Sequence, residues 1–308
     1  MDPRRAHLTR RTALTGGAVA ALAACGPGGG TASASVSPPD AEAKKVSSRL
    51  RELERKHSAR LGVFAHNPAT GRTVRHRADE RFPICSVFKT LAAAAVLRDL
   101  DQDGETLARR IRYGKADLVA HSPVTGTPEH LADGMTVAEL CEAAICYSDN
   151  TAANLLLREL GGPTAITRFC RSAGDRTTRL DRWETELNSA EPWRVQDTTS
   201  PRAIARTYTR LTLGDELTQR DRRRLTGWLR DNTTSGKSFG AGLPEDWTLA
   251  DKTGAGGYGT NNDVGIAWPP GRSPVVLAVL TTKREADAEP DYPLVASTAT
   301  LLAEALTG

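Results

Sequence analysis

Phe82-Pro83-Ile84-Cys85-Ser86-Val87-Phe88-Lys89, running straight into Thr90-Leu91-Ala92-Ala93-Ala94-Ala95-Val96-Leu97, is the stretch around which the chain is organised. The second half is rich in Ala and Leu and free of Gly and Pro, so residues 86–98 read as a buried helix. Pro83 lies just ahead, where the backbone is still extended or turning. Ser86 and Lys89 are three residues apart and share one face of the first turn. Two readings compete. In the plainer one the serine caps the helix and the lysine is exposed. In the other, a buried amine lies within reach of the hydroxyl, and free N–H groups at the helix start favour developing negative charge, the outline of an activated nucleophile.

At 308 residues, with 39% hydrophobic and 25% charged content, the chain has room for a sizeable core. Its net charge of +4 comes mostly from one end. Residues 1–24 hold four arginines and one aspartate, and without them the net charge is +1, which removes the main support for nucleic-acid binding.

Residues 1–25 read as an export signal. Thr9-Arg10-Arg11-Thr12-Ala13-Leu14 resembles a twin-arginine signal, and the apolar run Thr12 to Ala24 is too short for a good membrane span. The run ends in Leu22-Ala23-Ala24-Cys25, which resembles a lipobox with Cys25 as the lipidated residue; an ordinary cleaved signal is the alternative. Residues 26–41 read as a flexible tether rich in Gly, Ser and Pro. An amphipathic helix is expected over 41–59, then strands at 61–66 and 72–77 joined by the turn Asn67-Pro68-Ala69-Thr70-Gly71. Helices are expected at 136–146, 151–160, 200–213 and 218–230, strands near 247–253, 260–268 and 275–282, and a last helix at 293–306. Residues 175–199 lack any period and are dense in charge, as functional loops often are. Cys85, Cys141, Cys146 and Cys170 read as free, buried thiols rather than disulfides, and no cluster has metal-ligand spacing.

Two further motifs sit at element edges. Ser148-Asp149-Asn150 separates two expected helices and alone reads as a cap. Lys252-Thr253-Gly254 follows Asp251 at the expected end of a strand. Together with Ser86-x-x-Lys89, and in this order, they form the signature set of serine β-lactamases and penicillin-binding proteins. The chain resembles the class A β-lactamases over roughly residues 42–307. Asp133-Gly134-Met135-Thr136-Val137 also matches, and Glu184-Thr185-Glu186-Leu187-Asn188 resembles the family's Glu-x-x-Leu-Asn, which penicillin-binding transpeptidases lack.

The resemblance implies an α/β (α+β) fold. A five-stranded antiparallel sheet flanked by N- and C-terminal helices (about 42–85 and 231–308) would meet an all-helical domain (about 86–230), with the active site between them. It implies hydrolysis of the β-lactam amide of penicillins and cephalosporins, no cofactor and no metal. It further implies a small-molecule β-lactam as the partner, no nucleic acid, membrane attachment only through Cys25, and a monomer. By this resemblance Ser86 is the nucleophile, Lys89 and Glu184 compete as acylation base, and Ser148 relays a proton to the lactam nitrogen. Lys252, Thr253 and Gly254 meet the substrate carboxylate, and the N–H groups of Ser86 and Ala255 form the oxyanion hole. Asn188 holds the hydrolytic water with Glu184, Asn150 meets the substrate's side-chain amide, and Arg182 with Asp197 closes the loop. Three features depart from the pattern. Thr260-Asn261-Asn262 has no arginine where many relatives carry one, His121 stands where an aromatic gate is common, and Cys85 has no cysteine partner near Gly256. A transpeptidase and a β-lactam sensor are the rival readings.

Overall fold

The computed structural model describes residues 38–307. Five strands form one antiparallel sheet: β1 (Arg60–His66), β2 (Thr73–His76), β3 (Thr248–Gly256), β4 (Thr260–Trp268) and β5 (Val275–Thr282). Their spatial order is β2-β1-β5-β4-β3, so the first and last strands of the sheet pair at its centre. The run Val275-Val276-Leu277-Ala278-Val279-Leu280 is buried throughout because both faces of the sheet are covered. Val275, Leu277 and Val279 point into one apolar layer, with α1 (Pro38–Lys56) and α8 (Tyr292–Thr307) packed over it through Leu50, Leu294 and Leu302. Val276, Ala278 and Leu280 point the other way, into the larger core shared with the remaining helices.

The longer of those helices are α2 (Phe88–Ala95), α3 (Val137–Cys146), α4 (Asn150–Glu159), α5 (Thr164–Ser172), α6 (Pro201–Thr212) and α7 (Gln219–Arg230). Every residue of α2 is buried, as a helix apolar on nearly all sides must be. A 3₁₀ turn at Cys85–Val87 leads into it and a π-helical segment, Val96–Leu100, continues it. Tyr208 of α6 is fully buried beneath its start and donates a hydrogen bond to Thr90 Oγ1 at 2.8 Å. At the sheet face, Gly62 of β1 is required: a Cβ there would come within 2.5 Å of the Phe82 ring and 2.8 Å of Pro201.

Three expectations need correction. Helix α1 begins at Pro38, inside the expected tether of residues 26–41, because proline is tolerated in the first helical turn, where its missing N–H has no partner to lose. Lys252-Thr253-Gly254 lies within a strand, since β3 stays paired with β4 as far as Gly256 opposite Thr260. Helix α5 was not foreseen; it opens directly after Gly161-Gly162-Pro163 and buries Ile166, Phe169 and Cys170. Cys85, Cys141, Cys146 and Cys170 are free and buried, and burial raises the pKa of each thiol. Among the described residues no helix is long and apolar enough to cross a membrane. The export signal and Cys25 lie outside the described residues.

Candidate active site

Ser86 owes its position to the turn before α2. Asn262 of β4 donates from Nδ2 to the carbonyl of Pro83 (2.8 Å), and Ile84 N–H donates to Asp197 O (2.8 Å). Cys85 then takes φ 44°, a left-handed conformation costly for a side chain with a Cβ, and such strain gathers at functional sites. β3 passes close by, for a Cβ on Gly254 would lie 3.1 Å from Ser86 N. Ala255 follows on the exposed side of the strand.

Lys89 is fully buried one turn on. Its Nζ donates to Ser148 O (2.7 Å) and Asn150 Oδ1 (2.5 Å), and lies 3.2 Å from Glu184 Oε1 and 3.4 Å from Ser148 Oγ. Burial pulls its pKa down, and the Glu184 carboxylate opposes that pull. Ser148, at φ 57°, turns its hydroxyl between the two lysines, 3.1 Å from Lys252 Nζ. In Ser148-Asp149-Asn150 it is the middle residue that caps: Asp149 accepts from Ala152 N–H and holds Val124 and Thr125 from the neighbouring loop. Asn150 is committed at both ends, to Lys89 and, through Nδ2, to Ala120 O (2.8 Å). Burial and the nearby Lys89 charge lower the Lys252 pKa to about 7.

The aperiodic loop brings in the carboxylate. Arg182 Nε donates to Asp197 Oδ2 at 2.5 Å, while Asp197 Oδ1 accepts from the N–H groups of Asp181 and Arg182. Glu184 is gripped by Asn154, which accepts from its N–H (3.0 Å) and donates to its carbonyl (2.9 Å); the Glu184–Thr185 peptide is cis. Glu184 Oε1 accepts from Ser86 Oγ at 3.5 Å, and Oε2 accepts from Asn188 Nδ2 at 2.5 Å. Asn188 Oδ1 is buried and receives no hydrogen bond from the protein, which leaves an acceptor for a small polar molecule beside Glu184. Thr253 Oγ1 meets Thr234 Oγ1 at 2.5 Å. The structure thus brings Ser86, Lys89, Ser148, Glu184, Asn188, Lys252 and Thr253 into one cluster. Sequence reading missed Asn154 and Thr234, whose signals were only an asparagine inside an expected helix and a Thr-rich turn after α7.

A buried serine touching a carboxylate that also meets a buried lysine, on a helix start packed against an antiparallel sheet, has the makings of a hydrolase site. The "Beta-lactamase enzyme family" model matches residues 45–306. A Streptomyces fradiae β-lactamase is 64% identical, with 100% of both chains covered. The solved β-lactamase of Streptomyces albus G shares 66% identity at a TM-score of 0.84, covering 85% of this chain and 99% of that one. An ancestral class A β-lactamase shares 55% at a TM-score of 0.81, covering 85% and 100%. This chain belongs to the class A β-lactamase family and is a β-lactam-hydrolysing enzyme.

Proposed function

We propose that the enzyme opens penicillins and cephalosporins through an acyl-enzyme on Ser86. The observation that carries this is the contact of Ser86 Oγ with Glu184 Oε1 inside a cluster that also holds Lys89. Lys89 Nζ is surrounded by acceptors, which favours an ammonium, so Glu184 is the group that takes the serine proton, directly or through a water. Ser86 Oγ adds to the lactam carbonyl, with the N–H groups of Ser86 and Ala255 receiving the oxyanion. As the C–N bond breaks, the nitrogen takes the Ser148 proton; Lys89 replaces it and recovers its own from Glu184, 3.2 Å away, which leaves Glu184 a carboxylate again for the second half-reaction. Lys252 and Thr253 hold the substrate carboxylate, and Asn150 keeps one amide hydrogen for the substrate's side-chain carbonyl. Glu184 and Asn188 then position a water that attacks the ester, returning the proton to Ser86 and releasing the opened product.

The test separates the two half-reactions. Acylation resembles transpeptidase chemistry, whereas deacylation depends on Glu184. Glu184→Ala should slow deacylation far more than acylation, since positioned general bases contribute about 10²–10⁴-fold. Mass spectra taken seconds after mixing should then show protein plus intact penicillin. Rapid turnover with no adduct overturns the role of Glu184, and nitrocefin hydrolysis by Ser86→Ala overturns the nucleophile. On residues 1–25, we further propose an exported monomer anchored through a lipid on Cys25. An unmodified mature N-terminus elsewhere in the chain would refute the anchor.

A further inference from the structure

Two buried carboxyl groups that the chemistry above leaves unused stand behind Lys252. Asp251 on β3 lies opposite Gly265 on β4, and Asp263 lies opposite Thr253, so the two aspartates are diagonal neighbours on one face of the strand pair. Gly265 makes the approach possible, because a Cβ there would come within 2.6 Å of Asp251 Cβ. Both aspartates are essentially inaccessible to solvent, at 1% and 0%. Asp251 Oδ1 accepts from Asn232 Nδ2 at 2.9 Å, and Asp263 Oδ2 accepts from Phe239 N–H at 3.0 Å. Their second oxygens, Asp251 Oδ2 and Asp263 Oδ1, are buried and find no protein partner at hydrogen-bonding geometry, with Ser235 the one hydroxyl facing Asp251, and the two carboxyl groups are close enough to share a hydrogen bond. A carboxyl–carboxyl hydrogen bond needs a proton between the groups.

We propose that Asp251 and Asp263 hold one proton between them, on Asp263, and that the single negative charge left on Asp251 keeps Lys252 an ammonium for the substrate's carboxylate. The inference rests on the carboxylate-binding role proposed for Lys252. A proton on Asp263 Oδ1, donated to Asp251 Oδ2, satisfies both orphaned oxygens at once. Asp251 is the ionised partner because a side-chain donor is aimed at it. Asn232, which donates to Asp251, accepts through Oδ1 from Thr234 Oγ1 (2.8 Å), and Thr234 meets Thr253, so a hydrogen-bond chain links the pair to the substrate side of β3. The groups facing the pair are Lys252 itself, Tyr208 from α6, and Asn232, Ser235 and the Phe239 N–H from the segment after α7. Lys252 also faces Lys89, Glu184, Ser148 and Cys146. Burial raises both carboxyl pKa values, that of Asp263 far more, and the Asp251 charge adds to the rise at Asp263. Asp251 and Asp263 are positioning residues, acting through Lys252.

Two isosteric variants count the charges. Asp263→Asn replaces a neutral donor by a neutral donor, so the titration of Lys252 should stay where it is in the wild type. Asp251→Asn removes the charge and should move that titration down by about one pH unit, as losing a neighbouring opposite charge does. The titration is followed in the ligand-free protein by NMR of Cε-labelled lysine, and again as the alkaline limb of kcat/KM. Equal shifts in both variants would mean two ionised carboxylates, and a shift in neither would mean that Lys252 does not sense the pair; either result overturns the proposal. Should Asp251→Asn fail to fold, infrared spectroscopy decides on the other two proteins. A protonated-carboxyl stretch at neutral pH should appear in the wild type and be missing from Asp263→Asn, and its absence from the wild type overturns the shared proton. Neither spectroscopic reading depends on turnover, so a wrong assignment of the β-lactam chemistry would show itself separately.

Discussion

At the scale of residues, the two lysines do different work in similar burial. Lys89 meets acceptors and a carboxylate on several sides, whereas Lys252 has another cation nearby and its pKa falls to about 7. A lysine with a lowered pKa is charged below that value and neutral above it. The attraction proposed between Lys252 and the substrate carboxylate should therefore weaken as pH rises through neutrality, with KM climbing while kcat changes less. Lys252→Arg should remove that climb, because a guanidinium stays protonated throughout the range. Steady-state kinetics of both proteins between pH 6 and pH 9, a range chosen to bracket the lysine, would check this; a flat KM in the wild type would refute it. The residues on which this depends were legible in the chain as Ser-x-x-Lys, Ser-Asp-Asn, Lys-Thr-Gly and Glu-x-x-Leu-Asn. Their partners were not. Asn154, Thr234 and the aspartate pair acquire their roles only when distant segments meet, and no local spacing encodes that.

At the scale of elements, α2 is the part the sequence described best. A helix buried on every side needs an unbroken apolar run, and such a run is visible without any structure. α5 escaped notice because Gly161-Gly162-Pro163 reads as a terminator, although proline opens a helix as readily as it follows one. Strand β3 runs past the end the sequence suggests: glycines usually end strands, yet here Gly254 and Gly256 admit the turn that carries Ser86 and the loop carbonyl of Asn188. Two substitutions probe the seating of α2. Leu91→Ala should cost about 2–5 kcal/mol of stability through the cavity it leaves. Tyr208→Phe removes a buried hydrogen bond to Thr90 and should cost about 1–2 kcal/mol, while the ring keeps its packing. Denaturant unfolding measures both; a Tyr208→Phe protein as stable as the wild type would mean that the hydroxyl contributes nothing to holding the helix.

At the scale of the whole molecule, Cys85, Cys141, Cys146 and Cys170 are internal probes, each buried and each with a raised thiol pKa. None of the four should react with a thiol reagent in the native protein, and all four should react at one common rate when unfolding is cooperative. Staggered reaction would show that parts of the molecule open separately. The central pairing of the sheet carries a further consequence, one of timing. Leu61 lies opposite Thr281, so β1 leaves the ribosome long before its partner β5 has been made. Until then the inner edge of β1 exposes unpaired amides, and the apolar face under α1 has no cover from α8. Pairing across so long a stretch of chain is slow, and the waiting strand is open to wrong partners. Nascent chains stalled before residue 275 should accordingly remain protease-sensitive and bind holdase chaperones, and protection should arrive abruptly with the last strand and helix rather than grow with chain length.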